Sequence, residues 1–445
     1  GAPSPPGKTF AVADPARPHG EPVGHAPNHG RADAEAAVDR AAAAFPKWRA
    51  RTAGDRAGVL RRWYDLIRAS EGDLAQLLTA EAGKPLREAH AEIGYAAAFV
   101  RLYAEEARRV AGEVLQGHAK DRRLLVLREP VGVAAAVTPW NFPAAMVTRK
   151  VAPALAAGCP AVVKPSELTP LTALALARLL EEAGAPEGLL EVVTCARDRA
   201  AEVGAAFCGD PRVRVVSFTG STAVGKALAA QCAPGVKRVA LELGGNAPFV
   251  VFEDADLDRA ARALVGAKLR NAGQTCVAPN RVLVHSAVAD ALVQRVAALA
   301  EEQRLGHGLE DGVTVGPLID GRGLDKFAQH VDDCLARGGR LVSGGVEDPR
   351  AAALGEEGSD THGAAFAAPT VIAGVPPDAL CWSEETFGPL FPITTFESEA
   401  EALALANGTP AGLAAYFCTE SAARQWRFAE GLEAGLVGGN EGLIS

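Results

Sequence analysis

The stretch AVVKPSELTPLTALALARLLEEAGAPEGLLEVVT (161–194) decides the fold. It opens on a short β-rich run (161–164), passes through an Ala- and Leu-rich helical stretch (169–184) and closes on a second β-rich run (191–194). Strand, helix and strand in about 30 residues make a βαβ unit, whose strands lie parallel. Outward from it, further β-rich runs stand at 124–127, 132–137, 214–219 and 238–243, with a helical stretch at 221–231. The pattern then starts again, with runs at 249–252, 281–285, 340–344, 392–396 and 414–418. Helical stretches separate these near 256–271, 286–303, 319–337 and 397–406. Two successive α/β sets in 445 residues fit two domains, with a boundary near LELGGNAP (241–248). Ahead of both, residues 32–114 read as helices: Ala36, Ala37, Ala41 and Phe45 give a 3.6-type stripe, repeated in LRRWYDLI (60–67) and EIGYAAAFVRLY (92–103). The Gly- and acid-rich stretch 345–366 reads as a mobile surface loop.

Composition narrows the function. A net charge of -9 offers no basic surplus for nucleic acid or an anionic membrane. No run of eighteen apolar residues suggests a membrane span, and GAPSPPGKTF (1–10) lacks the charged and apolar regions of a signal peptide. Eight scattered cysteines with no CxxC spacing fit reduced intracellular thiols, so the expected compartment is the cytoplasm.

Several segments could carry chemistry. In FTGSTAVGK (218–226) a strand runs into Gly220 and Ser221, then a helix beginning near Gly225. Small residues there let helix amides approach a phosphate, although such turns also occur without a ligand. In AVVKPSE (161–167), Pro165 keeps Lys164 out of the helical region. Lys164 and Glu167 then sit at a strand's carboxyl end, able to hold a ribose diol or simply to form a solvated ion pair. VTPWNFP (137–143) brackets Trp140 and Asn141 with prolines; a rigid Asn amide is an oxyanion donor or the cap of its own turn. NAGQTCV (271–277) sets Cys276 in a polar, Gly-containing stretch six residues after Arg270, unlike the apolar contexts of the other cysteines. A nucleophilic thiol needs exposure and positive neighbours; a buried free cysteine is the alternative. Glu242, between Leu241 and Leu243, reads as a carboxylate in apolar surroundings, where a raised pKa suits a general base for water. Glu384 and Glu385 precede a rigid turn, Thr386 to Pro389. Metal binding is not expected. Asp254, Asp256 and Asp258 mimic a calcium loop, but Arg259 and Val265 stand where Gly and Glu are needed. His25 and His29 are separated by the helix breaker Pro27.

Together TPWNFP, VVKPSE, FTGSTAVG, LELGGN, GQTC and EETFGP, in this order, resemble the aldehyde dehydrogenase superfamily over nearly the whole chain. AMVTRKVAPALAAG (145–158), LELGGNAPFVVF (241–252), RNAGQTCV (270–277) and NEGLIS (440–445) look closest to its succinate-semialdehyde dehydrogenases. The resemblance implies an α/β fold of two Rossmann-like parallel-sheet domains with a small bridging β-element. Residues 1–119 and 131–242 would form the NAD-binding domain, 120–130 a bridging and oligomerisation strand, 243–431 the catalytic domain and 432–445 a return segment.

It also implies roles. Cys276 would attack the aldehyde carbon, with the oxyanion held by Asn141 and the Cys276 amide. Hydride would pass to the nicotinamide, leaving a thioester that Glu242 hydrolyses through water, and Lys150 would assist proton transfer. Lys164 and Glu167 would hold the adenosine ribose; Trp140 and Ser221, beside Gly220 and Gly225, the pyrophosphate; Glu385 and Phe387 the nicotinamide ribose and ring. Arg149, Arg270 and a serine at or just beyond Ser445 would bind the substrate's far carboxylate. Relatives that pass the acyl group to coenzyme A usually lack the glutamate at 242, so hydrolysis is expected. Glu167 would favour NAD, with NADP possible. Succinic semialdehyde is the expected substrate, with glutarate semialdehyde or a catalytically silent, truncated relative as alternatives. Ala278 stands where some relatives carry a second cysteine, which bars a disulfide with the nucleophile. Both ends look short against the family pattern, which continues past NEGLIS into a Gly-rich segment and a tail strand. A homodimer or homotetramer is the implied assembly if that tail is present, and an exposed sheet edge if it is missing.

Overall fold

The computed structural model describes residues 9–356 and 358–444. It divides into two compact units. The first comprises residues up to Ala13, Pro22–Ala82 and Ala89–Glu242; the second Asp14–Glu21, Gly83–Glu88 and Leu243 onward.

The first unit is built on a five-stranded, all-parallel sheet. Its spatial order is Leu190–Val192, Ala161–Lys164, Val133–Val137, Val213–Thr219 and Arg238–Glu242. The strand first in sequence is central, and the order reverses between it and Val213–Thr219. Ligands of open α/β sheets settle outside the carboxyl ends at such a reversal, and the loops with Trp140, Asn141, Gly220 and Ser221 leave from that place.

Two of this unit's helices start without a capping side chain of their own. Ala144 precedes Ala145–Ala156, and Pro170 precedes Leu171–Glu182. Buried carboxylates from other helices replace the caps. Glu92 accepts the Ala144 and Ala145 amides at 2.9 and 3.3 Å, and Glu81 those of Leu171 and Thr172 at 2.8 and 2.9 Å. Both place acceptor oxygens where a helix end would otherwise leave its first amides unpaired. The indoles of Trp48 and Trp63 donate to Leu155 and Leu176 carbonyls of the same two helices.

The second unit carries a seven-stranded sheet. Its order is Arg340–Ser343, Thr370–Ala373, Leu390–Phe396, Pro279–His285, Ala247–Val251, Ala414–Cys418 and Leu436–Gly439. Only the first pair is antiparallel. Phe249, Val251, Leu264, Val282, Val296 and Phe391 belong to the core on one face, and Val250, Leu283, Phe396 and Phe417 to the core on the other. The fold class is therefore α/β with parallel sheets, as the βαβ reading implied.

Two sequence expectations change. Glu113–Gln116, which overlaps the end of the region read as helical, is a strand that pairs antiparallel with Arg123–Val126. A further small antiparallel pair, for which the sequence carried no expectation, joins Thr9–Val12 to Gly24–Pro27. The stretch 345–366 is not merely a surface loop: it contains the helix Pro349–Gly355 and buries Ala364, Ala365 and Phe366.

Candidate active site

In the first unit, the helix after Thr219 runs Thr222–Cys232, three residues earlier than the Gly225 start read from sequence. Ser221 caps it by accepting the Val224 amide at 3.4 Å. Ser221, Thr222, Ala223 and Val224 are exposed, so this positive helix end is open to solvent, and Gly225 is buried one turn in. Gly220 has to lack a side chain, because a Cβ there would lie 2.6 Å from the Phe218 ring.

Across the reversal, Lys164 is buried at the end of its strand. Its ammonium donates to the Pro165 carbonyl at 3.1 Å and lies 4.0 Å from the Glu167 carboxylate. Trp140 is half-buried, its carbonyl accepting the Thr169 hydroxyl at 3.4 Å, and Asn141 is buried. An open helix amino end, a buried cation and a carboxylate beside it fit a pyrophosphate flanked by a ribose diol. These residues therefore suit a dinucleotide.

Arg149 and Lys150 follow on the helix that Glu92 caps. The Arg149 guanidinium lies 5.4 Å from the Phe99 ring centroid, a cation–π contact. Lys150 donates to the Ser217 hydroxyl at 3.1 Å. Burial, reinforced by the Arg149 charge and opposed by Glu242, lowers its pKa to about 8. Glu242 ends its strand in register with Thr219. It is exposed, so the apolar surroundings expected from its leucine neighbours are absent.

In the second unit Cys276 is half-buried, whereas the other seven cysteines are buried. It follows three consecutive left-handed residues, Asn271 (φ 53), Ala272 (φ 55) and Gly273 (φ 82). Side chains hold that turn: Glu88 accepts the Asn271 amide at 2.7 Å, and Gln274 donates to the Asn271 carbonyl at 2.9 Å while accepting the Ile319 amide at 2.9 Å. Arg270 is half-buried, and both it and Cys276 lie near Tyr416. Burial raises the Tyr416 phenol, with Arg270 opposing and Cys276 reinforcing, and the hydroxyl donates to the Val277 carbonyl at 2.8 Å.

Gly244 and Gly245 let the parts meet. A Cβ on Gly245 would lie 2.4 Å from the Cys276 carbonyl oxygen, and one on Gly244 2.7 Å from a Glu385 carboxylate oxygen. The Gly245 amide donates to Glu385 at 3.2 Å. Gly273 in turn packs so closely on Gly388 that a Cβ would lie 2.3 Å from its carbonyl oxygen. Cys276, Glu385 and Phe387 (φ 56) thus share one end of this sheet, each ahead of its strand rather than after it. Burial pushes Glu385 up to about 7, and the buried Lys268 amine down to about 8, each opposed by the other's charge.

Sequence reading passed over Glu92, Glu88, Lys268 and Tyr416. The signal for Glu92 was its place on the apolar stripe of Ala89, Ile93, Ala96 and Val100. Ser445 lies outside the described residues. Among those described, no three His, Cys, Asp or Glu side chains are placed to hold a metal, and no helix is long and apolar enough to cross a membrane.

A unit suited to a dinucleotide and a second unit presenting one half-buried thiol define an oxidoreductase of the covalent, cysteine-dependent class. The chain matches the aldehyde dehydrogenase family over residues 3–445. It is 48% identical to glutarate-semialdehyde dehydrogenase of Pseudomonas putida, covering 99% of this chain and 88% of that one. It is 49% identical to human mitochondrial succinate-semialdehyde dehydrogenase, covering 98% and 79%. A crystal structure described as an NADP-dependent enzyme of E. coli superimposes with a TM-score of 0.93 at 47% identity, covering 99% and 88%. The chain belongs to the aldehyde dehydrogenase family and is an NAD(P)-dependent enzyme of that family.

Proposed function

We propose that this enzyme oxidises succinic semialdehyde to succinate, with NAD preferred. The substrate reading is supported by a half-buried cation in each unit, Arg149 on the helix after the Asn141 loop and Arg270 six residues before Cys276. A planar guanidinium pairs bidentately with a carboxylate, and an aldehyde with a carboxylate at its far end presents that group. The NAD preference is supported by Glu167 beside Lys164, since a carboxylate there repels a 2′-phosphate.

Cys276 attacks the aldehyde carbon as thiolate. Asn141 and the Cys276 amide donate to the oxyanion that forms, worth about a hundredfold or more in rate. Nicotinamide dinucleotide, when bound, supplies the hydride acceptor. Cys276 is left as a thioester, and Glu242, exposed to water at its strand end, takes a proton from the attacking water. Lys150 exchanges protons close to neutral pH.

Glutarate semialdehyde is the second reading, favoured by the comparable identity to the Pseudomonas putida relative, and the same arginines accept its longer chain. We also propose self-association through the Glu113–Gln116 and Arg123–Val126 pair, whose Val114 and Leu125 are 73% and 71% exposed.

The test is reduced-dinucleotide formation with succinic semialdehyde, glutarate semialdehyde and propanal, each with NAD and NADP, and with Cys276→Ala as blank. Cysteine-dependent turnover favouring the acidic aldehydes is expected. Arg149→Gln and Arg270→Gln should raise KM for those aldehydes and not for propanal; an equal rise for all three overturns the arginine reading.

A further inference from the structure

Cys334 and Cys381 are both fully buried in the second unit, with their sulfurs 3.5 Å apart. They are brought together by one helix face. His330, Asp333 and Cys334 follow each other at i, i+3 and i+4 on Gly321–Ala336, and each grips the segment that ends in Glu385 and Phe387. Asp333 accepts the Leu380 amide at 2.7 Å and is braced by Arg337 at 2.8 Å, which also pairs with Asp378 at 2.8 Å. His330 bonds the Thr386 hydroxyl at 3.0 Å and lies 3.6 Å from Glu384. Cys334 meets Cys381 on the one-turn helix Leu380–Ser383 between these two anchors.

We propose that Cys334 and Cys381 form a reversible oxidation site, a dithiol that a hydroperoxide converts to a disulfide, loosening dinucleotide binding through the adjoining Glu385–Phe387 segment. Local opening of the one-turn helix admits peroxide to this fully buried pair, and the thiolate of Cys334 attacks one peroxide oxygen; the S–O bond forms, the O–O bond breaks, and hydroxide leaves, becoming water with the proton that Cys334 gave up. The Cys381 sulfur then attacks Cys334; the S–S bond forms, the S–O bond breaks, and a second water leaves with the Cys381 proton. Two thiols lose two electrons in all, and hydrogen peroxide is reduced to two waters. The two sulfurs share one hydrogen bond, which lowers the Cys334 thiol and, together with burial, raises Cys381, so Cys334 is the attacking thiol.

A disulfide needs sulfurs about 2.05 Å apart, so closure draws the short helix toward Gly321–Ala336 by about 1.5 Å. Asn280 transmits the shift. Its side chain donates to the Cys381 and Glu384 carbonyls at 2.8 and 3.0 Å and accepts the Thr386 amide at 2.9 Å. Lys268, whose charge acts on both Cys381 and Glu385, couples the thiol to the carboxylate as well. This consequence rests on the reading that Glu385 and Phe387 hold the nicotinamide ribose and ring.

The test uses the full chain carrying Cys276→Ala, so that oxidation of the nucleophile does not contribute. After hydrogen peroxide and alkylation under denaturing conditions, non-reducing peptide mapping should find residues 334 and 381 cross-linked, and dithiothreitol should release them. NAD affinity should fall about tenfold in the oxidised protein. The same treatment should leave affinity unchanged in chains that also carry Cys334→Ser or Cys381→Ser. Recovery of both thiols alkylated, with no cross-link, overturns the proposal. A cross-link with unchanged affinity overturns the switch, provided that Glu385→Gln by itself weakens NAD binding. If Glu385→Gln binds NAD as tightly as its parent, the reading of the segment fails instead and the oxidation site stands.

Discussion

Replacing Glu92 tests how the first unit holds the helix that carries Arg149 and Lys150. The helix Ala145–Ala156 starts at an alanine that cannot cap it, and the Glu92 carboxylate accepts its first amides at 2.9 and 3.3 Å. Glu92 is 2% exposed, so water does not replace it readily when it is cut back. Hydrogen bonds to a charged group contribute about 1.5–3 kcal/mol each, and Glu92→Ala removes two. The expected loss is about 3–6 kcal/mol, a large fraction of the 5–15 kcal/mol typical of a domain. Glu92→Gln keeps an acceptor oxygen and loses only the charge opposite the helix dipole, so it should cost about 1–2 kcal/mol. In a background that also carries Trp382→Phe and Trp426→Phe, which removes the second unit's tryptophans, urea unfolding followed by tryptophan fluorescence reads the first unit, where Trp48, Trp63 and Trp140 lie. Because the helix carries Arg149 and Lys150, KM for the acidic aldehyde should rise in the same order, Ala above Gln. If Glu92→Ala is no less stable than Glu92→Gln, the capping argument is wrong.

Gly245→Ala should fold, yet lose at least about a hundredfold in turnover, because the new methyl meets the Cys276 carbonyl at 2.4 Å; near-normal rates would show that the loop yields freely. Burial holds the Glu81 pKa at about 7 against an ordinary 4.5, so folding favours its neutral form. That contribution is full below pH 4.5 and gone above about pH 7; relative to Glu81→Gln, the parent should gain about 3 kcal/mol of stability across this window as pH falls. With the Lys150 pKa lowered to about 8, its amine accepts protons above that pH. Turnover against pH should show a step there that Lys150→Met lacks, and an identical profile in the variant would remove Lys150 from proton transfer.

Strands dense in β-branched residues, such as Val213–Thr219 and Pro279–His285, were legible because that composition marks a buried parallel strand. Glu113–Gln116 was not, since all four of its residues are exposed and its two apolar residues, Val114 and Leu115, are adjacent and do not alternate with polar ones. Leu436–Gly439 escaped because two glycines follow only two apolar residues. Cys276 stood out through its polar, glycine-containing surroundings. Glu242 was misjudged because successive side chains on a strand point to opposite faces, so Leu241 and Leu243 say nothing about the face that Glu242 occupies. The Glu92 cap and the fit of Gly245 against Cys276 join residues far apart in the chain, and no local pattern records such meetings.

The three left-handed residues before Cys276 also bear on when the setting of this proposed nucleophile comes into being. Asn271 and Ala272 sit in a region that costs an ordinary residue about 1–2 kcal/mol, so a disordered chain seldom visits the turn and never accumulates it. Its braces arrive from Glu88 and Ile319, which reach this place only once the second unit has assembled. The reactive thiol is therefore among the last features to form and among the first to go. Under mild denaturant, catalysis should fail while both sheets still stand, and a half-folded chain should carry a thiol no keener than its neighbours.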